Sequence, residues 1–169
     1  GKRKPIKRIA WKEYTIGDFF IARNTGNILN RDIVDGSGST PFVTASGANN
    51  GVTAYIDATK YELIKGNCIL VGGKTFTLTY QKNDFVSNDS HNIVLYTKGN
   101  SNEQILLFII TVLRCSLKAK YYWGDAVTKD KLLAQSIILP ADQNGEPDWV
   151  YMQDYISNLQ HTISSSPLL

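Results

Sequence analysis

The sequence predicts an α+β domain: a β-rich body of short twisted strands with a buried helix, followed by a second, C-terminal helix. Two observations predict it. As far as about Tyr96, segments rich in β-branched and aromatic residues alternate with turn residues, whereas from Ser101 onward the apolar residues run too long for a strand. Strands first and helices afterwards is the α+β order.

The start, GKRKPIKR, clusters cations around Pro5 and reads as a solvated basic tail over residues 1–10. The predicted strands are DFFIAR, PFVTA, GVTAYID, CILVGG, FTLTYQ and HNIVLYT, separated by Gly, Asn, Asp and Ser. In SNEQILLFIITVLRCSLK, Ser101 or Asn102 caps a helix running to about Lys118, and apolar residues on most of its faces mark it as buried. TKDKLLAQ reads as a short helix capped by Thr128, and SIILP as a closing strand that Pro140 ends.

The last helix begins at Pro147 and Asp148, both good first-turn residues. Trp149, Met152, Ile156, Leu159 and Ile163 follow at spacings of three and four, a narrow heptad-type seam. Such a seam either meets a partner helix or packs on its own domain, and both readings stay open at this point. The expected organisation is a tail over residues 1–10, a body over 11–145 and a helix over 146–169 that continues in a longer protein.

With 169 residues, 43% hydrophobic and 20% charged, the chain is the size of one domain with a proper core. Its formal charge of +3 tolerates a polyanion without requiring one. Cys68 and Cys115 both lie in apolar runs with no neighbour at metal-ligand spacing, so both are expected to be buried and reduced in a cytoplasmic protein. The longest apolar run, Ile105 to Leu113, is about half of what a bilayer requires. No signal-peptide pattern precedes it.

Catalytic motifs are missing. LVGGKTF suggests a phosphate loop, but the first glycine of that motif would fall at Cys68, and a strand pattern follows where a helix is needed. GSGST lacks dinucleotide-binding spacing, and no metal-binding or nucleophile-elbow pattern occurs, so neither metal nor cofactor is expected. His161 reads as a surface residue, and His91 as either a locally bonded loop histidine or a ligand contact. The loop carboxylates Asp84, Asp89 and Asp125 have no spacing that selects them as acid or base.

Amide, hydroxyl and cationic side chains do recur where strands end: SGANN, GGKT, YQKND, SNDSHN and later KAKYYWGD. Asn and Gln can bond an adenine edge, Lys and Arg a guanine edge, and nearby lysines can hold phosphates. That inventory suits duplex DNA. The plainer reading of NNG is turn chemistry alone, since Asn and Gly accept positive φ, and YYW is more often a core or edge aromatic cluster than a base-stacking platform.

The ordered series WKEYTIGDFFIARNTG, PFVTASGANNGVTAYID, GNCILVGG, TYQKNDF, LLFIITVL and LPADQNGEPDWVYMQDYI resembles the target recognition domain of restriction-modification specificity subunits. The resemblance spans Trp11 to Gln160. It implies sequence-specific reading of one half of a split duplex site, with catalysis and cofactors left to methyltransferase and restriction subunits. It also implies that the helix from Trp149 begins a coiled-coil spacer toward a second recognition domain, with Trp149, Met152, Ile156, Leu159 and Ile163 as the partner-facing seam. Candidate DNA contacts are Ser46, Asn49 and Asn50; Lys74, Thr75 and Gln81; Ser87, Asn88, Ser90 and His91; and Lys120 and Tyr121. Amides and hydroxyls are assigned to bases and lysines to phosphates. The alternatives are the recognition domain of a fused methyltransferase-nuclease, a β-rich carbohydrate- or protein-binding module and, least favoured, a small hydrolase.

Overall fold

A computed structural model describes residues 9–121 and 125–166. In chain order the first elements are β1 (Ala10–Thr15), the four-residue helix α1 (Ile16–Phe19), β2 (Phe20–Asn24), β3 (Thr40–Val43) and β4 (Val52–Ile56). There follow β5 (Cys68–Val71), β6 (Leu78–Gln81), β7 (Val86–Ser87) and β8 (Ile93–Thr97). The long helix α2 (Glu103–Tyr121), the short α3 (Lys129–Leu133), β9 (Ser136–Ala141) and α4 (Trp149–Ser165) complete the described chain.

The continuous apolar run of β5 is explained by its position. It lies inside a four-stranded antiparallel sheet ordered β2-β8-β5-β6 that is covered on both faces. Alternate side chains therefore serve different cores: Ile69 and Val71 join the larger cluster with α2, while Cys68 and Leu70 meet Val43, Phe85 and Val94 on the other side. That second face packs against a three-stranded sheet, β4-β3-β7, in which β3 and β7 run parallel. β1 and β9 form a separate antiparallel pair.

α2 is capped as its sequence predicts, by Asn102, whose Oδ1 accepts from the Ile105 amide at 3.0 Å. Ile105, Leu106, Ile109, Leu113 and Leu117 are all buried against the larger cluster, whereas Thr111, Arg114 and Lys118 are exposed. α3 starts at Thr128, whose side chain accepts from the Lys131 amide, and α4 starts at Asp148, which accepts from Tyr151. The Asn102 amide also donates to Gln153 of α4 at 2.6 Å, and Phe108 meets the Tyr155 ring edge-on at 5.9 Å, so the two long helices are pinned together.

Several expectations change. Eight residues of the basic tail lie outside the described residues, and β1 already begins at Ala10, paired with Ala141. The segment WKEYT, assigned no strand by its pattern, pairs throughout with β9; Asp18 and Phe19 belong to α1, so the next strand starts only at Phe20. Pro140 does not end its strand, because β9 has β1 as its only strand partner and an edge tolerates proline. Cys115 is exposed, since it falls on the outer face of α2, while Cys68 is buried as expected. The seam is also divided. Met152 is 0% exposed in the domain's own core, Trp149 packs edge-on against Phe19 and Phe20, and Ile156 packs on the same cluster. Of the five seam residues only Leu159 and Ile163 are exposed, at 45% and 74%.

Candidate nucleic-acid interface

The polar loop between β3 and β4 turns through three successive left-handed residues, Asn49, Asn50 and Gly51, with φ of 49°, 52° and 79°. Asn and Gly are the residues that visit this region at least cost, which explains the NNG triplet. Both amides are used at home. Asn49 donates to the Val52 carbonyl at 2.9 Å and Asn50 to the Tyr80 carbonyl at 2.8 Å, and Gln81 donates back to the Asn50 carbonyl at 2.9 Å. The loop is thereby stitched to β6.

The turn joining β5 to β6 lies beside it. Thr77 donates to the Ala45 carbonyl at 3.1 Å, and the Thr75 and Thr77 hydroxyls lie 3.1 Å apart. Gly73 has no room for a Cβ, which would strike the His91 carbonyl oxygen. The second glycine of LVGG thus reflects close chain packing and not a phosphate cradle.

The third loop, residues 88–91, meets the same turn. Asp89 accepts from the His91 backbone amide at 2.8 Å, lies 2.8 Å from His91 Nδ1 and pairs with Lys74 at 3.4 Å. The His91 amide bond, ahead of the His91 ring and Lys74, holds the Asp89 carboxyl below its ordinary range. His91 is thus anchored locally through its backbone amide and Nδ1, and Lys74 is held by the same carboxylate.

An open cleft of about 660 Å³ adjoins that loop, between β2 and the segment 60–65. Arg23, Lys60 and Lys65 line it together with Asn27 and Tyr61, and Glu62 is the one carboxylate among the lining residues. Lys60 lies 5.7 Å from the centre of the Tyr61 ring. The cleft and loop are joined: Thr25 donates its backbone amide to the Asn92 carbonyl at 3.1 Å and its hydroxyl to the Asp89 carbonyl.

A family model described as the type I restriction modification DNA specificity domain matches residues 9–166, which takes in every element above. The chain belongs to that family. DNA target recognition is the role of the specificity-domain family, and the specificity subunits themselves are non-catalytic. The chain is similar to the specificity subunit S.BcgI of a type II restriction enzyme from Heyndrickxia coagulans, 24% identical over 162 residues that cover 95% of this chain and 46% of the relative. Its fold is that of the S subunit of a type I restriction-modification system from M. genitalium (TM-score 0.68, 14% identity, 96% of this chain and 41% of that one). It is likewise that of the HsdS subunit from Thermoanaerobacter tengcongensis (TM-score 0.62, 13% identity, 98% and 40%). The chain spans less than half the length of each of these relatives.

Within the specificity domain, Ser46, Lys74, Thr75, Asn88, Ser90 and His91 are on the loops that meet at the β5–β6 turn. Three other expected contacts are buried and cannot reach a ligand in this arrangement. Gln81, 4% exposed, bonds Asn50 and Thr79; Ser87, 1% exposed, donates to the Val43 carbonyl; Tyr121, 3% exposed, packs on the Phe76 ring at 5.3 Å. Tyr122 and Trp123 of YYW lie outside the described residues. Lys120 is exposed, but its ammonium donates to Gln135 at 3.0 Å. Ser46 accepts from the Ala48 amide, so with Asn49 and Asn50 it has a turn-forming role.

The cleft residues were missed by the sequence reading. Their signal was present, because RNTGN at the end of β2 and TKYELIKGN before β5 carry the same amide-and-cation mixture as the chosen loops. Among the described residues no group of three or more potential metal ligands occurs, and no helix is long and apolar enough to cross a membrane.

Proposed function

We propose that the chain is a sequence-specific, double-stranded DNA-binding module that reads one half of a split site for methyltransferase and restriction subunits. Catalysis and cofactor binding then belong to those subunits, and the protein works in the cytoplasm. The observation that carries this reading is the specificity-domain match, which spans residues 9–166. The convergence of three polar loops at the β5–β6 turn supports it, because it collects donors and acceptors of the kind that read base edges.

Asn88, Ser90 and His91 are the base-reading candidates. The Asn88 amide nitrogen and the Ser90 hydroxyl have no hydrogen-bond partner among the described residues, unlike the amides of Asn49 and Asn50. Lys74 supplies a phosphate contact from the same face. Residues 11–145 form the reading head, and the segment from 146 onward, helical from Trp149, carries Leu159 and Ile163 toward a second recognition domain.

The test compares binding of wild type and Asn88→Ala to a selected duplex and to a random one. A base contact predicts a loss of about 1–3 kcal/mol on the selected duplex and little on the random one. Equal losses on both would assign Asn88 to a structural or backbone role.

A further inference from the structure

We propose that the open cleft between β2 and residues 60–65 is a phosphate-binding groove that takes the sugar-phosphate backbone of the duplex whose bases face Asn88, Ser90 and His91. This rests on the DNA-binding reading above and gives it a second surface, with Arg23 and Lys60 as the principal phosphate contacts.

Cations without a close ion-pair partner single out the cleft. On the loop face Lys74 and the His91 ring both face Asp89, so the net positive charge left for a polyanion is small. In the cleft Lys65 pairs with Asp84 at 3.4 Å, but Arg23 and Lys60 have no carboxylate partner among the described residues. Glu62 in the lining and Asp57 near Lys60 offset part of the charge, but neither cation is held in a close ion pair, so both heads are available to phosphate oxygens in a concave wall. Asn27 and the Tyr61 hydroxyl add neutral donors with no hydrogen-bond partner among the described residues, the kind that commonly bond phosphate oxygens.

Shape and continuity agree with charge. The cleft is open and far larger than a single phosphate needs, and the exposed side chains of Ile21 and Leu63 line it beside the cations, where deoxyribose presents apolar carbons. One wall continues directly into the reading loop through the bonds from Asn24 and Thr25 to Asn92. A duplex whose bases meet residues 88–91 therefore has its backbone beside the groove.

The experiment measures affinity for one random-sequence duplex across a salt series with the 169-residue chain. Three proteins are compared: wild type, the double variant Arg23→Gln/Lys60→Gln, and the charge-matched control Lys12→Gln/Lys118→Gln, whose residues line neither the cleft nor the loops. Arg23 and Lys60 are exposed and form no side-chain hydrogen bonds among the described residues, so the cleft variant is expected to melt like wild type. At roughly 0.9 per phosphate contact, the cleft variant should lower the slope of log K against log salt by nearly two, while the control leaves it unchanged. A wild-type slope and affinity in the cleft variant, or an equal fall in the control, would overturn the groove while leaving DNA binding intact. If wild type itself shows no salt-dependent DNA binding, the underlying reading fails and the groove fails with it.

Discussion

The side-chain amide of Gln81 donates to the backbone carbonyl of Asn50 at 2.9 Å, across 31 residues of chain. The bond fixes a left-handed loop residue to the last position of a buried strand. It makes the SGANNG loop a rigid part of the body instead of a loose reading arm.

Gln81→Leu should therefore act on stability. It leaves the Asn50 carbonyl and the Thr79 hydroxyl without their partner, at a cost of about 1–3 kcal/mol, measurable as a lower urea midpoint. An unchanged midpoint would show that the loop is not held by this bond.

Asn50 separates backbone from side chain. Its φ of 52° favours glycine over alanine, so Asn50→Ala should be less stable than Asn50→Gly by about 1 kcal/mol, although both lose the bond to Tyr80. Equal melting temperatures would mean that the left-handed turn does not persist in solution.

Thiol reactivity should distinguish the two cysteines. Burial pushes the Cys68 thiol up to about 12, whereas Cys115 is exposed on α2. One thiol should react with a disulfide reagent in the native protein and two in denaturant. Rapid reaction of both in the native state would contradict the double-sided burial of β5.

The terminal helix should respond differently along its length. Met152→Ala should cost about 2–5 kcal/mol, as expected for truncating a fully buried side chain. Ile163→Lys should stay within roughly 0.5 kcal/mol of wild type while weakening assembly with a partner helix. Comparable destabilisation by both would show that the distal turns also pack on the domain.

Acid should weaken the loop cluster. Asp89 titrates below its ordinary range in the folded state, so its stabilisation is complete above the unfolded carboxylate value of about 3.9 and disappears as pH falls through the folded value. Asp89→Asn should be less stable at neutral pH and should show a flatter decline as pH falls below about 4. An acid limb as steep as wild type would assign that slope to other carboxylates.

Much of the fold was legible because local chemistry decided it. The Asn102, Thr128 and Asp148 caps and the apolar run of β5 all carry signals that tertiary packing reinforces. The site was less legible. Gln81, Ser87 and Tyr121 belong to residue types that read nucleic acids, but the same groups also satisfy buried carbonyls or fill a core, and only packing distinguishes those uses. The cleft escaped notice for a related reason: Arg23 and Lys60 come together only when the sheets are assembled.

The most direct measurement is selection of bound duplexes from a randomised library by the 169-residue chain at low salt. Sequence-specific recognition predicts enrichment of one short motif, the half-site. Binding without enrichment, no tighter than to random DNA, would contradict it.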